Sequence, residues 1–364
     1  MARPARTMVY TRLMPVTSLL LLVPLLLGKG TAARDLRTTQ VHDASVAYFS
    51  QGKVPGFSVA IFDKGKLAYS EGFGYADMER NVAANPNTLF RLGSVSKPLT
   101  AMAVMHLVEE GKVNLEDDIR KYVPSFPDKG QKITVRQILC HQSGIRHYVE
   151  GRADGGKHYL SCADAIEIFA NDPLLFAPGE KYSYSTHAYT LLGALIESVT
   201  QAPYDNELNY VLRRPAMIAT PRVEDRSISE ANRSQCYGMN NQQRFVRLRP
   251  DDLTWKIPGG GTEATAVDLA NLGSAILDGR ILSDTTVQKM WTAQKTNDGK
   301  YTNYGLGWGL GRGVVSHSGS QLGAESIWIL FPRQKVVVVV LSNLQHNPIE
   351  ELGNQIAKIW TQAQ

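Results

Sequence analysis

Two stretches of short apolar runs frame this chain, and a long helical stretch lies between them. Residues 56–63 (Gly-Phe-Ser-Val-Ala-Ile-Phe-Asp) and 67–75 are strand-like runs separated by Lys64-Gly65-Lys66, which predicts a β-hairpin. A helix over 38–50, ending near Gly52, precedes it. At the far end, 304–310, 313–317, 325–331 and 335–342 read as strands and 348–361 as an amphipathic helix. Val336 to Val340 is continuously apolar and β-branched, so this strand should be covered on both faces. Between these ends, 94–110, 135–141, 161–171, 187–200 and 265–279 carry helical periodicity, the last opened by a Thr265-x-x-Asp268 capping box. The pattern predicts an α+β fold: an antiparallel sheet built from both termini and flanked by helices, with an inserted helical lobe. The sheet lobe would take about 38–90 and 300–364, the helical lobe about 91–299, and a groove between lobes is a natural place for a site.

The first residues change the charge picture. Arg3, Arg6 and Arg12 precede the apolar run Leu19 to Leu27, and Thr31-Ala32-Ala33 suits cleavage, so 1–33 reads as a signal peptide or other targeting segment. The expected location is periplasmic or secreted. A mitochondrial presequence, or an uncleaved anchor that would be the chain's only membrane contact, is the alternative. Of the 39 basic residues four lie in 1–33, leaving 35 against 34 acidic ones, so residues 34–364 are nearly neutral and no nucleic-acid partner is implied. Cys140, Cys162 and Cys236 form neither a disulfide framework nor a zinc pattern, and are read as small buried residues with one bridge left open. The eight histidines show no metal spacing, so neither metal nor cofactor is expected.

Ser94-Val-Ser-Lys97 is the central chemical signal. A second Ser-x-x-Lys, Ser50 to Lys53, closes a helix and is interrupted by Gly52, whereas Ser94 follows Gly93 and opens a long apolar helix. One turn apart, the Lys97 amine can reach the Ser94 hydroxyl. The helix N-terminus favours developing negative charge, and a buried lysine loses part of its preference for the charged form. An N-cap serine beside an exposed lysine is the other reading. Tyr184, in the turn before the helix near His187, could pass the serine's proton or be a packed aromatic. His317-Ser318-Gly319-Ser320 lies on a strand whose small residues can offer backbone N–H groups to a carbonyl; His317 is either a polar group above it or a surface histidine.

In this order these segments resemble the serine β-lactamase/penicillin-binding-protein superfamily, and most of all class C β-lactamases with their esterase and peptidase relatives. The likeness runs over roughly 38–360. Ser94-x-x-Lys97 matches the first family motif, Tyr184-Ser185-Thr186 stands at Tyr-x-Asn, and His317-Ser318-Gly319 stands at Lys-Thr-Gly. Ile138-Leu-Cys-His-Gln-Ser-Gly144, Phe176-x-Pro178-Gly179 and Gly259-Gly260-Gly261 also fit. A narrower likeness, carried by Ser143-Gly-Ile-Arg-His-Tyr148 and Asn171-Asp-Pro-Leu174, is to the mitochondrial serine β-lactamase-like proteins of animals, whose charged insertion is absent here between Tyr148 and Asn171. Filament assembly in that branch makes a homo-oligomer a natural expectation.

The resemblance implies a β-lactamase/transpeptidase-like fold and a serine hydrolase acylated on Ser94. Lys97 and Tyr184 would move protons, and the backbone N–H groups of Ser94 and Ser320 would form the oxyanion hole. Two departures matter. Thr186 replaces an amide side chain that would contact substrate and lysine. His317 replaces a permanent cation, and with a reference value near 6.5 it should gain charge only as pH falls through about 6.5. Both changes favour small peptide or ester substrates over β-lactams. Gly56-Phe-Ser-Val-Ala60, the nearest approach to the Gly-x-Ser-x-Gly of α/β-hydrolases, lacks the second glycine and lies in a strand. A catalytically silent scaffold retaining the fold is the non-enzymatic alternative.

Overall fold

Helix α1 (Leu36–Phe49) is capped by Asp35, whose carboxylate accepts the Arg37 N–H. The computed structural model describes residues 35–149 and 155–362, so the targeting segment expected at 1–33 lies outside the described residues. Strands β1 (Gly56–Asp63) and β2 (Lys66–Asp77) form the N-terminal hairpin, with β3 (Val82–Ala83) beside β2. The C-terminal strands are β4 (Gly309–Leu310), β5 (Val315–Gln321), β6 (Ala324–Phe331) and β7 (Val336–Ser342). Together they make one antiparallel sheet in the order β3-β2-β1-β7-β6-β5-β4. The two ends of the chain meet at its centre, where Val59 on β1 and Ile327 on β6 both pair with Val340 on β7.

Residues 336–341 are all fully buried, and their alternation divides them between two cores. Val336, Val338 and Val340 face α1 and α5 (Ile349–Gln362), packing with Val41, Ile356 and Trp360. Val337, Val339 and Leu341 face the other way, into the core shared with α2 (Ser96–Glu109), α3 (Thr186–Thr200) and α4 (Ala266–Leu277). Each such valine contributes about 1.5–3 kcal/mol of burial. An aspartate at Val338 would place an unpaired charge between strand and helix. Trp360 fastens α5 to the sheet by donating its indole N–H to Asp63 Oδ2 at 3.0 Å.

Several expected boundaries move, each for a visible reason. Of 304–310 only Gly309–Leu310 is strand: the Tyr304 carbonyl accepts from Gln294, Leu306 donates to the Met290 carbonyl, and Gly305 turns back onto the Trp308 carbonyl. The strand expected at 313–317 starts at Val315 but continues to Gln321, which carries Ser318, Gly319 and Ser320 into the sheet. The helix expected over 161–171 is α-helical only from Cys162 to Ala165, then tightens to a 3₁₀ turn over Ile166–Ile168. The turn unwinds ahead of Pro173, which has no N–H to continue a ladder, and the Ile168 and Ala170 carbonyls accept from Arg146 and Lys129 instead. The box at Thr265 is half made. Thr265 caps the Asp268 N–H, but the Asp268 carboxylate turns to the Thr220 N–H and hydroxyl. Helical turns at Tyr204–Ala216 and Asp284–Met290 and short strands at Phe90–Arg91, Arg222–Val223 and Thr262–Ala264 were not expected. All three cysteines are buried free thiols.

Candidate active site

Ser94 lies where the helical part meets the sheet. It sits in a 3₁₀ turn, Gly93–Val95, that leads directly into α2, so it precedes the α-helix rather than opening it. Two glycines let that turn lie on β5. Gly93 has φ +52, and a Cβ there would stand 3.0 Å from the Ser320 nitrogen. A Cβ on Gly319 would come within 2.8 Å of the Ser94 nitrogen and 2.1 Å of the Leu92 oxygen. Ser326 on β6 holds the same carbonyl, donating its hydroxyl to Leu92 O at 2.7 Å. The backbone amides of Ser94 and Ser320 are thereby neighbours across the junction. Among the described residues, no strand pairs with the outer side of β5 beyond Ser316.

Lys97, the second residue of α2, is fully buried. Its Nζ donates to Ser94 Oγ at 3.1 Å, Thr186 Oγ1 at 3.1 Å and the Gly259 carbonyl at 2.7 Å. Burial holds the amine well below its ordinary 10.5, and the positive charge of Lys256 pushes in the same direction. In the neutral form two N–H bonds suffice for Thr186 and Gly259, which leaves the lone pair for the Ser94 hydroxyl. The N-cap reading with an exposed lysine is thereby excluded.

Tyr184 packs against the same lysine, whose Nζ lies 4.6 Å from its ring centroid. Burial raises the Tyr184 hydroxyl well above its ordinary 10, partly offset by a hydrogen bond with Ser94. It is therefore a protonated O–H at neutral pH, a donor rather than a base. His141 supports the tyrosine, with ring centroids 4.3 Å apart. Its Nδ1 accepts the Ser185 N–H at 3.2 Å, which fixes a neutral ring, and burial keeps it far below 6.5. Beside it, His147 Nδ1 accepts the Thr186 N–H, so two imidazoles hold the turn that aims Tyr184 and Thr186.

His317 corrects the expectation of a histidine that charges near pH 6.5. It is buried on β5; its Nδ1 donates to the Ser318 carbonyl at 2.7 Å, and its Nε2 accepts from the Tyr304 hydroxyl at 2.9 Å. Both ring nitrogens are satisfied by the neutral tautomer. Burial first, and then the Lys97 charge, push its pKa down to about 3. It is neither a surface histidine nor a cation at any ordinary pH.

The structure therefore brings together Ser94, Lys97, Tyr184 and Thr186 with the 317–320 segment, in which Ser318 and Gly319 lead to Ser320. It keeps the other candidates apart. Ser50 is exposed and closes α1 by bonding to the Val46 carbonyl; Ser58 is buried in β1 with its hydroxyl on the Asn85 carbonyl. Sequence reading missed Tyr304, the partner of His317, and Lys256, whose charge reaches Lys97. Neither carries a local motif. Only the Gly259-Gly260-Gly261 run marks the neighbourhood of Lys256.

Fold and site together define a member of the penicillin-binding-protein and serine β-lactamase superfamily. The family model described as Beta-lactamase matches residues 35–358, and the chain belongs to that family. The chain is 28% identical to the human (Homo sapiens) mitochondrial serine beta-lactamase-like protein LACTB over 415 residues, covering 83% of this chain and 76% of that protein. It is 27% identical to the putative penicillin-binding protein PbpX of Bacillus subtilis (strain 168), over 92% of this chain and 83% of the relative. Among solved structures, the octameric penicillin-binding protein homologue from Pyrococcus abyssi superposes with a TM-score of 0.77 at 27% identity, covering 88% of this chain and 77% of that one. Family and fold support a serine hydrolase in general terms. A mitochondrial and a bacterial relative are compatible with either destination named for the leader.

Proposed function

We propose that the protein is an acyl-transfer serine hydrolase that forms an acyl-enzyme on Ser94 and acts on peptides or esters in preference to β-lactams. The observation that carries this is the Lys97 amine, buried, held below its ordinary pKa and within hydrogen-bond distance of Ser94 Oγ. A scaffold has no physical need to bury a lysine against a serine. In acylation the neutral Lys97 amine takes the Ser94 proton as Oγ bonds to the carbonyl carbon. The carbonyl π electrons move onto oxygen, where the Ser94 and Ser320 N–H groups stabilise them. Tyr184, protonated and packed against Lys97, hands its proton to the leaving group as the C–N or C–O bond breaks, and recovers one from Lys97. Water then repeats the sequence on the ester. Two titratable groups pushed in opposite directions support Lys97 as the base and Tyr184 as the acid.

The preference against β-lactams rests on His317. Neutral and committed to Tyr304 and Ser318, it offers no charge to a carboxylate at the position where the resemblance expects one. We also propose export, periplasmic or secreted, and assembly of several copies, the latter supported by the octameric archaeal neighbour. The deciding experiment pairs a fluorophosphonate label with a panel of peptide, D-amino-acid peptide, ester and β-lactam substrates. Labelling confined to Ser94 and turnover of esters or peptides support the reading. An unlabelled Ser94 and an inert panel favour the scaffold.

A further inference from the structure

Close to Lys97 lies a second buried lysine, Lys256, at the end of a 3₁₀ turn, Thr254–Lys256, that runs into the Gly259-Gly260-Gly261 segment. Counted with its charged neighbours, Lys256 belongs to a cluster that is positive in sum. Arg91, Arg226 and Lys256 face two carboxylates, Glu224 and Asp251, and both are taken by the arginines. Arg91 reaches Glu224 at 2.7 Å and Asp251 at 2.6 Å, and Arg226 holds the other Glu224 oxygen. Among the described residues the Lys256 ammonium has no hydrogen bond or ion pair; its ring contacts are with Trp255 and Tyr148, whose centroids lie 4.9 and 5.8 Å from Nζ.

Gln321 converges on the same spot. It ends β5, next to Ser320, and is 5% exposed, yet neither its Nε2 nor its Oε1 has a partner in the protein. Buried amide groups are nearly always bonded, and the exceptions call for a ligand or a water. Gly260 shows that the two side chains border one space: a Cβ built there would lie 3.6 Å from Gln321 Oε1, 3.7 Å from Lys256 Cδ and 3.8 Å from Lys256 Cε. Gly259, one residue earlier, gives its carbonyl to Lys97.

We propose that Lys256 and Gln321 form a subsite for a substrate carboxylate beside Ser94, with the lysine supplying the charge and the carboxamide a directed N–H. This rests on the hydrolase reading of Ser94, and it relocates anion recognition from His317, which is neutral, to the turn before the triple glycine and the last residue of β5. The substrate class it selects is an open-chain acyl compound whose free carboxylate reaches the turn before the triple glycine, such as a short peptide acid or a half-ester of a dicarboxylic acid, rather than a β-lactam, whose carboxylate would need a charge at His317.

Binding tests this without chemistry. Ser94→Ala protein is titrated calorimetrically with an N-acetyl dipeptide acid and with its amide, in the Lys256 and Lys256→Met backgrounds. The acid should bind about tenfold more tightly than the amide, and Lys256→Met should abolish the preference. Kinetics on proteins retaining Ser94 compare p-nitrophenyl hemisuccinate with p-nitrophenyl butyrate. The ratio of kcat/KM values should fall roughly tenfold in Lys256→Met and Gln321→Leu, recover in part in Lys256→Arg, and fall in Gly260→Ala, whose methyl enters the subsite. Unchanged preference and ratio in folded Lys256→Met and Gly260→Ala proteins would overturn the subsite. If wild-type Ser94 neither labels nor turns over either ester, the hydrolase reading fails, and the calorimetry still decides whether a carboxylate binds.

Discussion

Lys97 and Lys256 are the same residue type, both buried and close enough for one charge to act on the other, yet their surroundings set them different tasks. Lys97 faces three neutral oxygens and two tyrosine rings, and among the described residues no carboxylate pairs with it. Desolvation therefore dominates, and the amine is driven far down. Lys256 suffers the same desolvation but feels Asp251 and Glu224 beyond the arginines, which leaves it near 8 and mostly charged at pH 7. Burial alone does not make a lysine a base. What decides is whether the acceptors around it can compensate a full positive charge or only an N–H dipole.

The comparison breaks first at Ser94. Ser94→Ala should cost on the order of 10⁴-fold or more in kcat with the fold intact, measured on the best substrate of the panel together with a circular-dichroism melt. Ser50→Ala should leave the rate unchanged. The opposite pattern would move the nucleophile to Ser50.

Next come the two proton carriers. Lys97→Ala and Tyr184→Phe should each lower kcat/KM by roughly 100-fold or more, and the double variant should lose far less than the product of the two, since they serve one proton path. Pre-steady-state burst kinetics separates acylation from deacylation. A Tyr184→Phe enzyme at wild-type rate would remove the tyrosine from the mechanism.

A smaller effect links the two lysines directly. Lys97 works as a base only when neutral, so kcat/KM for a neutral ester should rise with pH through its pKa. Lys256→Met removes a neighbouring positive charge, which makes protonation of Lys97 easier and raises that pKa. The acid limb of the profile should therefore move to higher pH. A limb that stays put would mean that Lys256 does not act on Lys97.

The smallest expected signal is an absence. With its pKa pushed down to about 3, His317 should keep its neutral Nδ1–H tautomer from pH 8 to pH 5, which imidazole nitrogen NMR can follow. Titration of that ring near 6.5 would restore the charged histidine that the sequence led us to expect, and would weaken the case for Lys256 as the anion site.

Much of this could be read along the chain because it is local. A hydrophobic run such as 336–340 declares a strand covered on both faces whatever surrounds it, since its alternation offers no polar side. Strands at both ends of the chain with helices between them are enough for the α+β class. Serine and lysine three positions apart on a helix start are neighbours by helix geometry alone, and the Gly52 that spoils Ser50–Lys53 is equally local. Where backbone groups found distant partners, local reading failed: the Ile168 and Ala170 carbonyls turn to Arg146 and Lys129 rather than to a longer helix, and Met290 and Gln294 drew Tyr304 and Leu306 out of the sheet.

The charge states of the site belong to the tertiary structure. Sequence alone named Lys97, Tyr184, Thr186 and His317 and ordered them along the chain. It did not determine that Lys97 is held below its ordinary pKa, that Tyr304 and the Ser318 carbonyl lock His317 neutral, or that Lys256 and Gln321, 65 positions apart in the chain, border one space at Gly260. The reason is physical. A periodicity is a property of consecutive residues, whereas a protonation state sums desolvation and charge over every atom within several ångströms, and most of those atoms arrive from elsewhere in the chain.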